Sequence, residues 1–312
     1  MFTQFFLLFS LIAIGYIASR KGWISSGSLD SLGDLLIYII IPPMLLSSIL
    51  SLNIEQEILN EFLWMSLYSF GFFVVYFILA KIYIRLFKIP SNHIETMEVS
   101  FVIPNNGFMG FPIALAFFGY KGLLFMVANN MVMNIMLFTY GIYLIKRSNN
   151  KDVKVSILDT IKQILNPNII AIIVGLVLGI SGLQKYVPLP VEKLIIILGE
   201  LATPLSMIYI GATLFGSSFN ELISDRMIVK ATIARALVLP IATLVLLNIF
   251  DISVLMGKIL FVVSVFPCAA VVPILVAEYG KEVDTSVRMV LFSTILSLLT
   301  MPLGVYLTSI LW

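Results

Sequence analysis

Long apolar stretches follow one another along almost the whole chain of 312 residues. They constrain the fold more than any other feature, because a helix that crosses the hydrocarbon core of a bilayer needs roughly 20 mostly apolar residues. Only 12% of the residues are charged and the mean hydropathy is +1.07. A water-soluble fold could not bury the apolar surface of such a chain. The sequence therefore predicts an all-α membrane protein.

Charged residues and glycine or proline clusters divide the chain into ten predicted transmembrane helices. They cover residues 3-19, 31-51, 62-86, 95-118, 122-145, 167-183, 192-214, 228-248, 254-278 and 286-311. The first stretch has no basic residue before it, and Arg20 and Lys21 follow it directly. A cleavable signal peptide carries its positive charge first, so we expect a retained helix.

The basic residues predict the orientation in the membrane. Of the 19 lysine and arginine residues, 14 lie on one side of the predicted spans, four lie on the other, and Arg235 lies within a span. The positive-inside rule puts the richer side in the cytoplasm. We expect a multi-pass protein of a bacterial-type plasma membrane, with both termini outside and the longest connection, 146-166, inside.

Composition also argues against several other functions. A formal net charge of only +2 gives no support for a nucleic-acid partner. The single cysteine, Cys268, excludes an intramolecular disulfide and leaves no thiolate cluster for a metal. The sequence has no HExxH, GxSxG or paired intramembrane aspartate pattern, and the sole histidine, His93, lies in a predicted cytoplasmic loop. We expect no cofactor, no metal site and no enzymatic activity.

Three groups of residues recur in the same order in the two halves of the chain, which indicates an internal repeat. They are Leu32-Gly33-Asp34-Leu35 and Leu198-Gly199-Glu200-Leu201; Pro104, Pro112 and Gly119 beside Pro267, Pro273 and Gly280; and Gly141-Ile142-Tyr143-Leu144 beside Gly304-Val305-Tyr306-Leu307. Five spans per repeat is an odd number, so the second half is expected upside down relative to the first. The predicted domains are two inverted repeats, 1-145 and 167-312, joined by the cytoplasmic connection 146-166.

Two proline-containing segments occupy equivalent places in the repeats. They are IPNNGFMGFP, residues 103-112, and FPCAAVVP, residues 266-273. Proline inside a helix removes a hydrogen bond and costs about 3 kcal/mol. Unwound backbone at membrane depth is tolerated only where it is buried in protein or lines a cavity. We predict that the fourth and ninth helices are broken and cross each other, with Pro112 and Pro273 as structural prolines of this crossover.

The first broken segment carries the better substrate-binding candidates. The N-terminal ends of half-helices have a positive field that favours an anion, and Asn105 and Asn106 can add amide donors. Alternatively, these asparagines only satisfy backbone groups freed by the prolines. The second segment, around Cys268, is apolar and offers backbone dipoles alone. The predicted substrate-binding residues are Pro104, Asn105, Asn106, Gly107, Asn130, Asn134, Pro267 and Cys268.

Asn130 and Asn134 lie one helical turn apart and share a face. This face is expected either to look toward the crossing or to bridge helices, and the sequence leaves both open.

Two segments resemble one known family. SFVIPNNGFMGFPIALAFFG, residues 100-119, resembles the fourth-span crossover of the auxin efflux carrier family. VVPILVAEYGKEVDTSVRMVLFSTILSLLTMPLGVYL, residues 271-307, resembles its C-terminal signature. The similarity extends over essentially the full length, including IYIIIPPMLLSS, residues 37-48. The family includes plant carriers and bacterial relatives proposed to carry malate or malonate.

This resemblance implies a ten-helix fold similar to that of the sodium/bile acid symporters. It implies that spans 1, 2, 6 and 7 form a scaffold and that spans 3 to 5 and 8 to 10 form a moving transport domain. An elevator motion follows, with an anionic substrate beside the crossover, where Asn105 matches a family asparagine. A homodimer is an open expectation. The large central loop of plant members is missing from this chain.

Other ionisable residues near or within the spans bear on coupling to an ion gradient. Glu98, Glu200 and Glu278 are the candidates, with an interfacial position favoured for Glu98 and Glu278. Glu200 and Arg235 lie deeper in their predicted spans, and we hypothesise that they pair. The sequence does not choose among uniport, proton symport and sodium symport.

The predicted function is secondary transport of a small organic anion, either a malate- or malonate-like dicarboxylate or an indole- or auxin-like carboxylate. The alternatives are a sodium-coupled symporter of a larger, bile-acid-like anion, and a receptor or channel.

Overall fold

The structure is a computed structural model, and it describes residues 2–52, 55–147, 165–215, 224–278 and 283–312. In these ranges the regular elements are helices, and the only extended pairing is a bridge between Pro104 and Cys268. The α-helices are α1 Phe2–Arg20, α2 Ser26–Leu35, α3 Ile41–Leu50, α4 Gln56–Leu86, α5 Ile94–Val102, α6 Phe111–Met136, α7 Ile142–Arg147, α8 Pro167–Ser181, α9 Leu189–Glu200, α10 Ala202–Phe215, α11 Arg226–Ile249, α12 Val254–Ser264, α13 Val271–Glu278 and α14 Val283–Leu311.

Seven continuous helical stretches among the described residues are long and apolar enough to cross a membrane. They are Thr3–Arg20, Gly27–Leu50, Gln56–Leu86, Asn106–Lys146, Leu189–Phe215, Arg226–Ile249 and Val283–Leu311, and α8 and α12 are shorter apolar helices. The prediction of an all-α, multi-pass membrane protein is confirmed. The arrangement as ten spans in two inverted repeats stays a prediction.

Local sequence explains where several helices begin and turn. Asn166 and Asp225 precede α8 and α11, and their side-chain oxygens accept hydrogen bonds from the first free main-chain N–H groups of those helices. Gly119 has φ +67° and interrupts α6 between the predicted fourth and fifth spans. That conformation favours glycine, because a Cβ atom is strained there. Its predicted counterpart, Gly280, lies outside the described residues.

The chain separates into two compact units. The first consists of Met1–Ser66, Gly107–Met131 and Leu165–Gly216, and the second consists of Leu67–Asn106, Val132–Ile164 and Ser217–Trp312. Each unit takes segments from both halves of the sequence, so the units do not coincide with the predicted repeats.

Helices of the first unit approach each other closely at glycines. Helix α1 packs on α10, and α3 packs on α8 and α9. Gly15 lies against the main chain of Ile208, and Gly211 lies against the main chain of Ile12. A Cβ atom at either glycine would collide with that backbone. Small residues therefore set the distance between α1 and α10.

The second unit is built around α11, α12 and α14, which contact one another, and α5 packs against α11, α13 and α14. Large aromatic side chains fill its interior, including the fully buried Phe101, Phe261 and Phe266. Both predicted broken segments enter this packed region. Their irregular backbone is therefore buried in protein, as membrane depth requires.

Candidate functional site

Both helices predicted to be broken are interrupted at the predicted segments. Helix α5 ends at Val102, residues 103–105 are not helical, and a π-helical turn, Asn106–Gly110, leads into α6. Helix α12 ends at Ser264, residues 265–270 are irregular, and α13 begins at Val271. We call residues 103–105 the first break and residues 265–270 the second break.

The two breaks are joined by an antiparallel bridge between Pro104 and Cys268. The N–H of Asn105 donates to the carbonyl of Pro267 at 2.9 Å, and the N–H of Ala269 donates to the carbonyl of Ile103 at 3.0 Å. Each segment therefore satisfies one donor and one acceptor of the other. The expected meeting of the two broken helices is present at this bridge.

The bridge geometry explains why a proline stands at position 104. The two hydrogen bonds come from the neighbours of Pro104 and Cys268, so these two residues face each other as a pair that does not exchange hydrogen bonds. The N–H missing from proline is not needed there. The N–H of Cys268 also points away from the bridge, and it donates to the hydroxyl of Ser293 on α14 at 2.9 Å.

Side chains from α11 and α14 satisfy further backbone carbonyls at the breaks. Arg235 on α11 donates from Nε to the carbonyl of Phe101 at 2.7 Å, from Nη1 to the carbonyl of Phe266, and from Nη2 to the carbonyl of Pro267 at 3.5 Å. Thr300 on α14 donates to the carbonyl of Val265 at 3.3 Å. The sequence did not identify these supporting roles of Arg235, Ser293 and Thr300.

Most predicted site residues at the breaks are brought together. Pro104, Asn105, Pro267 and Cys268 are buried and adjacent across the bridge. Asn105 has 7% of its surface exposed and Asn106 has none. The N–H of Asn106 donates to the carbonyl of Pro104 at 3.0 Å. Two amide side chains are thus held inside the protein at the point where the helix is interrupted.

Other predicted residues lie along the helices that follow the breaks. Gly107 is half-buried in the π-helical turn. Pro112 and Pro273 lie in the first turns of α6 and α13, where a missing N–H costs little. These two prolines begin the second half-helices and take no part in the bridge itself.

The asparagines of α6 are buried, in agreement with a role inside the protein. Asn130 belongs to the first unit and Asn134 to the second. Their contact with substrate stays a prediction.

The three candidate carboxylates differ sharply in burial. Glu98 on α5 has only 3% of its surface exposed. Its expected interfacial depth in the membrane stays a prediction. Its carboxylate lies 3.9 Å from Nζ of Lys81 and accepts a hydrogen bond from the hydroxyl of Tyr140 at 3.4 Å. Glu200 and Glu278 are exposed on the surface of the protein.

The hypothesis that Glu200 pairs with Arg235 is not needed to explain the buried arginine. The hydrogen bonds of Arg235 run to three main-chain carbonyls. Among the residues that the structure describes, the ion pairs are Lys81–Glu98, Lys121–Glu61 and Arg288–Asp284. Arg235 thus keeps its positive charge inside the second unit without a carboxylate partner in the described part of the chain.

An all-helical chain with two interrupted apolar helices, joined by buried irregular backbone that carries polar side chains, defines a membrane transporter. The chain belongs to the membrane transport protein family, whose model matches residues 1–305. The resemblance to the auxin efflux carriers is confirmed by this match.

Two relatives cover almost the same length. An uncharacterized transporter of Methanocaldococcus jannaschii is 25% identical over 298 residues, which is 94% of this chain and 94% of the relative. An uncharacterized transporter of Methanothermobacter thermautotrophicus is 21% identical over 293 residues, 94% of this chain and 93% of the relative. These similarities favour transport over catalysis.

Proposed function

We propose that this protein transports a small organic anion, a dicarboxylate or an indole-type carboxylate, across the plasma membrane by an elevator-type alternating access mechanism. The observation that carries the proposal is the bridge between the two breaks, with Asn105 and Asn106 buried beside it. Polar groups inside a membrane are costly and usually functional. Amide N–H groups can bind a carboxylate without a further buried charge.

Electrostatics favours an anion at this bridge. Arg235 is 2% exposed and donates to carbonyls at or just beyond the C-terminal ends of α5 and α12. These are the ends of helices that carry partial negative charge, so the guanidinium offsets their field. The N-terminal ends of the following half-helices keep their positive field. A carboxylate near the bridge is therefore stabilised, whereas a cation is not.

The packing of the first unit supports an internal repeat. A Cβ atom at Gly33 would lie 3.4 Å from the hydroxyl of Tyr209, and a Cβ atom at Gly199 would lie 2.9 Å from Cα of Met44. Gly33 and Gly199 are equivalent in the predicted repeats, and each packs on the helix that follows the other glycine. Such reciprocity is expected of two segments related by a two-fold axis.

The composition of the two units supports the elevator mechanism. Helices of predicted spans 1, 2, 6 and 7 belong to the first unit, and both breaks belong to the second. In the proposed mechanism the second unit carries the substrate as it moves. Residues 107–131, which belong to predicted spans 4 and 5, fall in the first unit, so the second unit does not contain the whole of the expected moving domain.

Glu98 is the favoured residue for proton coupling. It is the only one of the three candidate carboxylates that is buried, and its neighbours Lys81 and Tyr140 lie on other helical segments. A proton gained or lost there changes a buried charge only a few residues before the first break. Glu200 and Glu278 are exposed, so a proton gained or lost there does not change a buried charge.

Uptake into liposomes tests the proposal. The purified protein, reconstituted into vesicles, should take up radiolabelled malate, malonate or indole acetate in a saturable manner, and Asn105→Ala should reduce this uptake. The vesicles are assayed with and without sodium and at two pH values. Conductance far above carrier rates would support a channel instead, and sodium-dependent uptake of bile acids alone would favour the larger amphipathic anion.

Ligand-induced stabilisation gives an independent measurement of binding in detergent. A ligand that binds only the folded state stabilises it by RT ln(1 + [L]/Kd). The same carboxylates should therefore raise the unfolding temperature of the wild-type protein and raise it less in Asn105→Ala. A variant that aggregates, with its folded fraction binding normally, would mean that Asn105 only satisfies the backbone.

A further inference from the structure

Arg235 lies in the middle of an apolar helix and is almost completely buried. Helix α11 extends from Arg226 to Ile249, and Arg235 has 2% of its surface exposed. A buried charge is tolerated only when it is well hydrogen-bonded. The arginine therefore makes hydrogen bonds inside the protein that an apolar residue at the same position could not make.

The hydrogen bonds of Arg235 reach both broken helices at once. Nε donates to the carbonyl of Phe101 in the last turn of α5, and Nη1 and Nη2 donate to the carbonyls of Phe266 and Pro267 in the second break. The planar guanidinium carries five donors in a fixed fork. One side chain therefore holds two backbone segments that are distant in sequence at a fixed separation.

Main-chain hydrogen bonds also connect these two segments. The bridge consists of two main-chain hydrogen bonds, from Asn105 to Pro267 and from Ala269 to Ile103. Of the carbonyls that accept from Arg235, that of Pro267 is itself a bridge acceptor, and those of Phe101 and Phe266 lie two residues and one residue from the bridge acceptors Ile103 and Pro267. Loss of the guanidinium would deprive the buried carbonyls of Phe101 and Phe266 of this donor and would weaken the register of the two breaks.

We propose that Arg235 is a positioning residue that acts as a built-in cation, fixing the register of the two breaks and so the orientation of Asn105. It does not touch the substrate. It ties together carbonyl oxygens that would otherwise repel one another or require a bound metal cation. This inference rests on the proposed function only for its binding readout.

The single cysteine of the chain provides a direct measurement of register. In a pair that does not exchange hydrogen bonds the two Cα atoms lie about 4.5 Å apart, which is within the range that a disulfide requires. Cys268 is the only cysteine in the sequence. The substitution Pro104→Cys therefore places one partner opposite it, and oxidation should form one disulfide, followed by mass and by loss of free thiol.

The rate of this cross-link is compared in backgrounds with Arg235, Arg235→Lys and Arg235→Ala. We expect it to fall about tenfold in Arg235→Ala, as the loss of a charge-assisted hydrogen bond would produce. Guanidinium ions at millimolar concentration should restore it, whereas sodium ions should not. Arg235→Lys should be impaired as well, because an ammonium group lacks the planar fork.

Each outcome decides for or against the positioning role. If Arg235→Ala does not fold, Arg235→Lys carries the test, and a wild-type cross-linking rate in that variant overturns the proposal. Unchanged cross-linking in Arg235→Ala overturns it as well, and so does rescue by sodium to the same extent as by guanidinium.

Substrate binding separates this inference from the proposed function. Without the Pro104→Cys substitution, Arg235→Ala should lose carboxylate binding and regain it with guanidinium. Slow cross-linking together with no carboxylate binding even in the wild-type protein would leave the positioning role intact and reject the organic anion as substrate.

Discussion

The two breaks both interrupt an apolar helix, but their backbone and side-chain polar groups are arranged in different ways. The first break has three irregular residues, 103–105; it contains Asn105 and is followed by Asn106, and both asparagines are buried. The second has six, 265–270, and its polar backbone groups bind Arg235, Ser293 and Thr300 from neighbouring helices. The apolar second break thus takes its polar partners from other helices, whereas the first keeps polar side chains of its own.

This difference suggests that the two breaks have different roles in the protein. A segment whose backbone is satisfied by neighbouring helices is fixed in place. A segment with its own amide side chains can offer them to a ligand. We infer that the second break is the support and the first break the substrate contact, and four predictions test this division.

Removal of the bridging N–H groups should have the largest effect. Asn105→Pro and Ala269→Pro each delete one of the two bridge hydrogen bonds, and each should lower the free energy of unfolding by about 3 kcal/mol. The measurement is thermal or denaturant unfolding in detergent. Because the bridge is reciprocal, the two variants should be affected alike.

Asn105→Ala is the control for the first of these variants, since it keeps the N–H and removes only the amide. Because the bridge N–H is kept, it should lose clearly less stability than Asn105→Pro. A strong loss of stability in Asn105→Ala would contradict the division between support and contact.

Removal of the amide at the first break should weaken substrate binding. Asn105→Ala is expected to lose about 2 kcal/mol of binding free energy, or roughly 30-fold in Kd, as for one hydrogen bond to a charged group. Titration with the carboxylate found in the uptake screen measures this loss. Ala269→Gly, at the equivalent place in the second break, should bind with nearly unchanged affinity; equal losses in both variants would mean that both breaks contact the substrate.

Removal of a supporting hydroxyl should destabilise the second break. Ser293→Ala leaves the buried N–H of Cys268 without its acceptor, which should cost about 1–2 kcal/mol of folding free energy. Equilibrium unfolding of the apo protein is the measurement.

Ser100→Ala is the matched control before the first break. The Ser100 hydroxyl is buried and has no hydrogen-bond partner among the described residues, so its removal should be nearly neutral. Equal destabilisation by the two serine substitutions would argue against side-chain support as a feature of the second break.

Neutralising Glu98 should have the smallest effect on stability. The ion pair with Lys81 is long, 3.9 Å, and the lysine side chain is 45% exposed. Glutamine keeps the shape of the buried side chain and an oxygen that can accept from Tyr140, so Glu98→Gln should cost at most about 1 kcal/mol. Its effect on function should be larger, because uptake should lose its dependence on a pH gradient.

Glu278→Gln serves as the control, since this exposed carboxylate lies at the end of α13, beyond the second break. Its pH dependence should match that of the wild-type protein. If Glu278→Gln lost the pH dependence of uptake and Glu98→Gln kept it, the coupling residue would be Glu278, beside the second break.

The sequence by itself determined the class and the breaks. Apolar stretches of span length predicted the helices, because backbone in lipid must satisfy its own hydrogen bonds. Pro104 and Pro267 marked the interruptions, since proline removes a donor wherever it stands. Gly119 lies between two predicted spans, and the structure gives it the positive φ that favours glycine.

Only the tertiary structure decided how the breaks are satisfied. The pairing of Pro104 with Cys268, the reach of Arg235 to two helices and the burial of Glu98 join residues that are far apart in sequence. Hydropathy and proline spacing carry no information on such contacts. A lone arginine in an apolar span indicates that the guanidinium has a partner inside the protein. Its partners here are backbone carbonyls. Every residue has a carbonyl, so only the packing of the helices decides which carbonyls the arginine reaches.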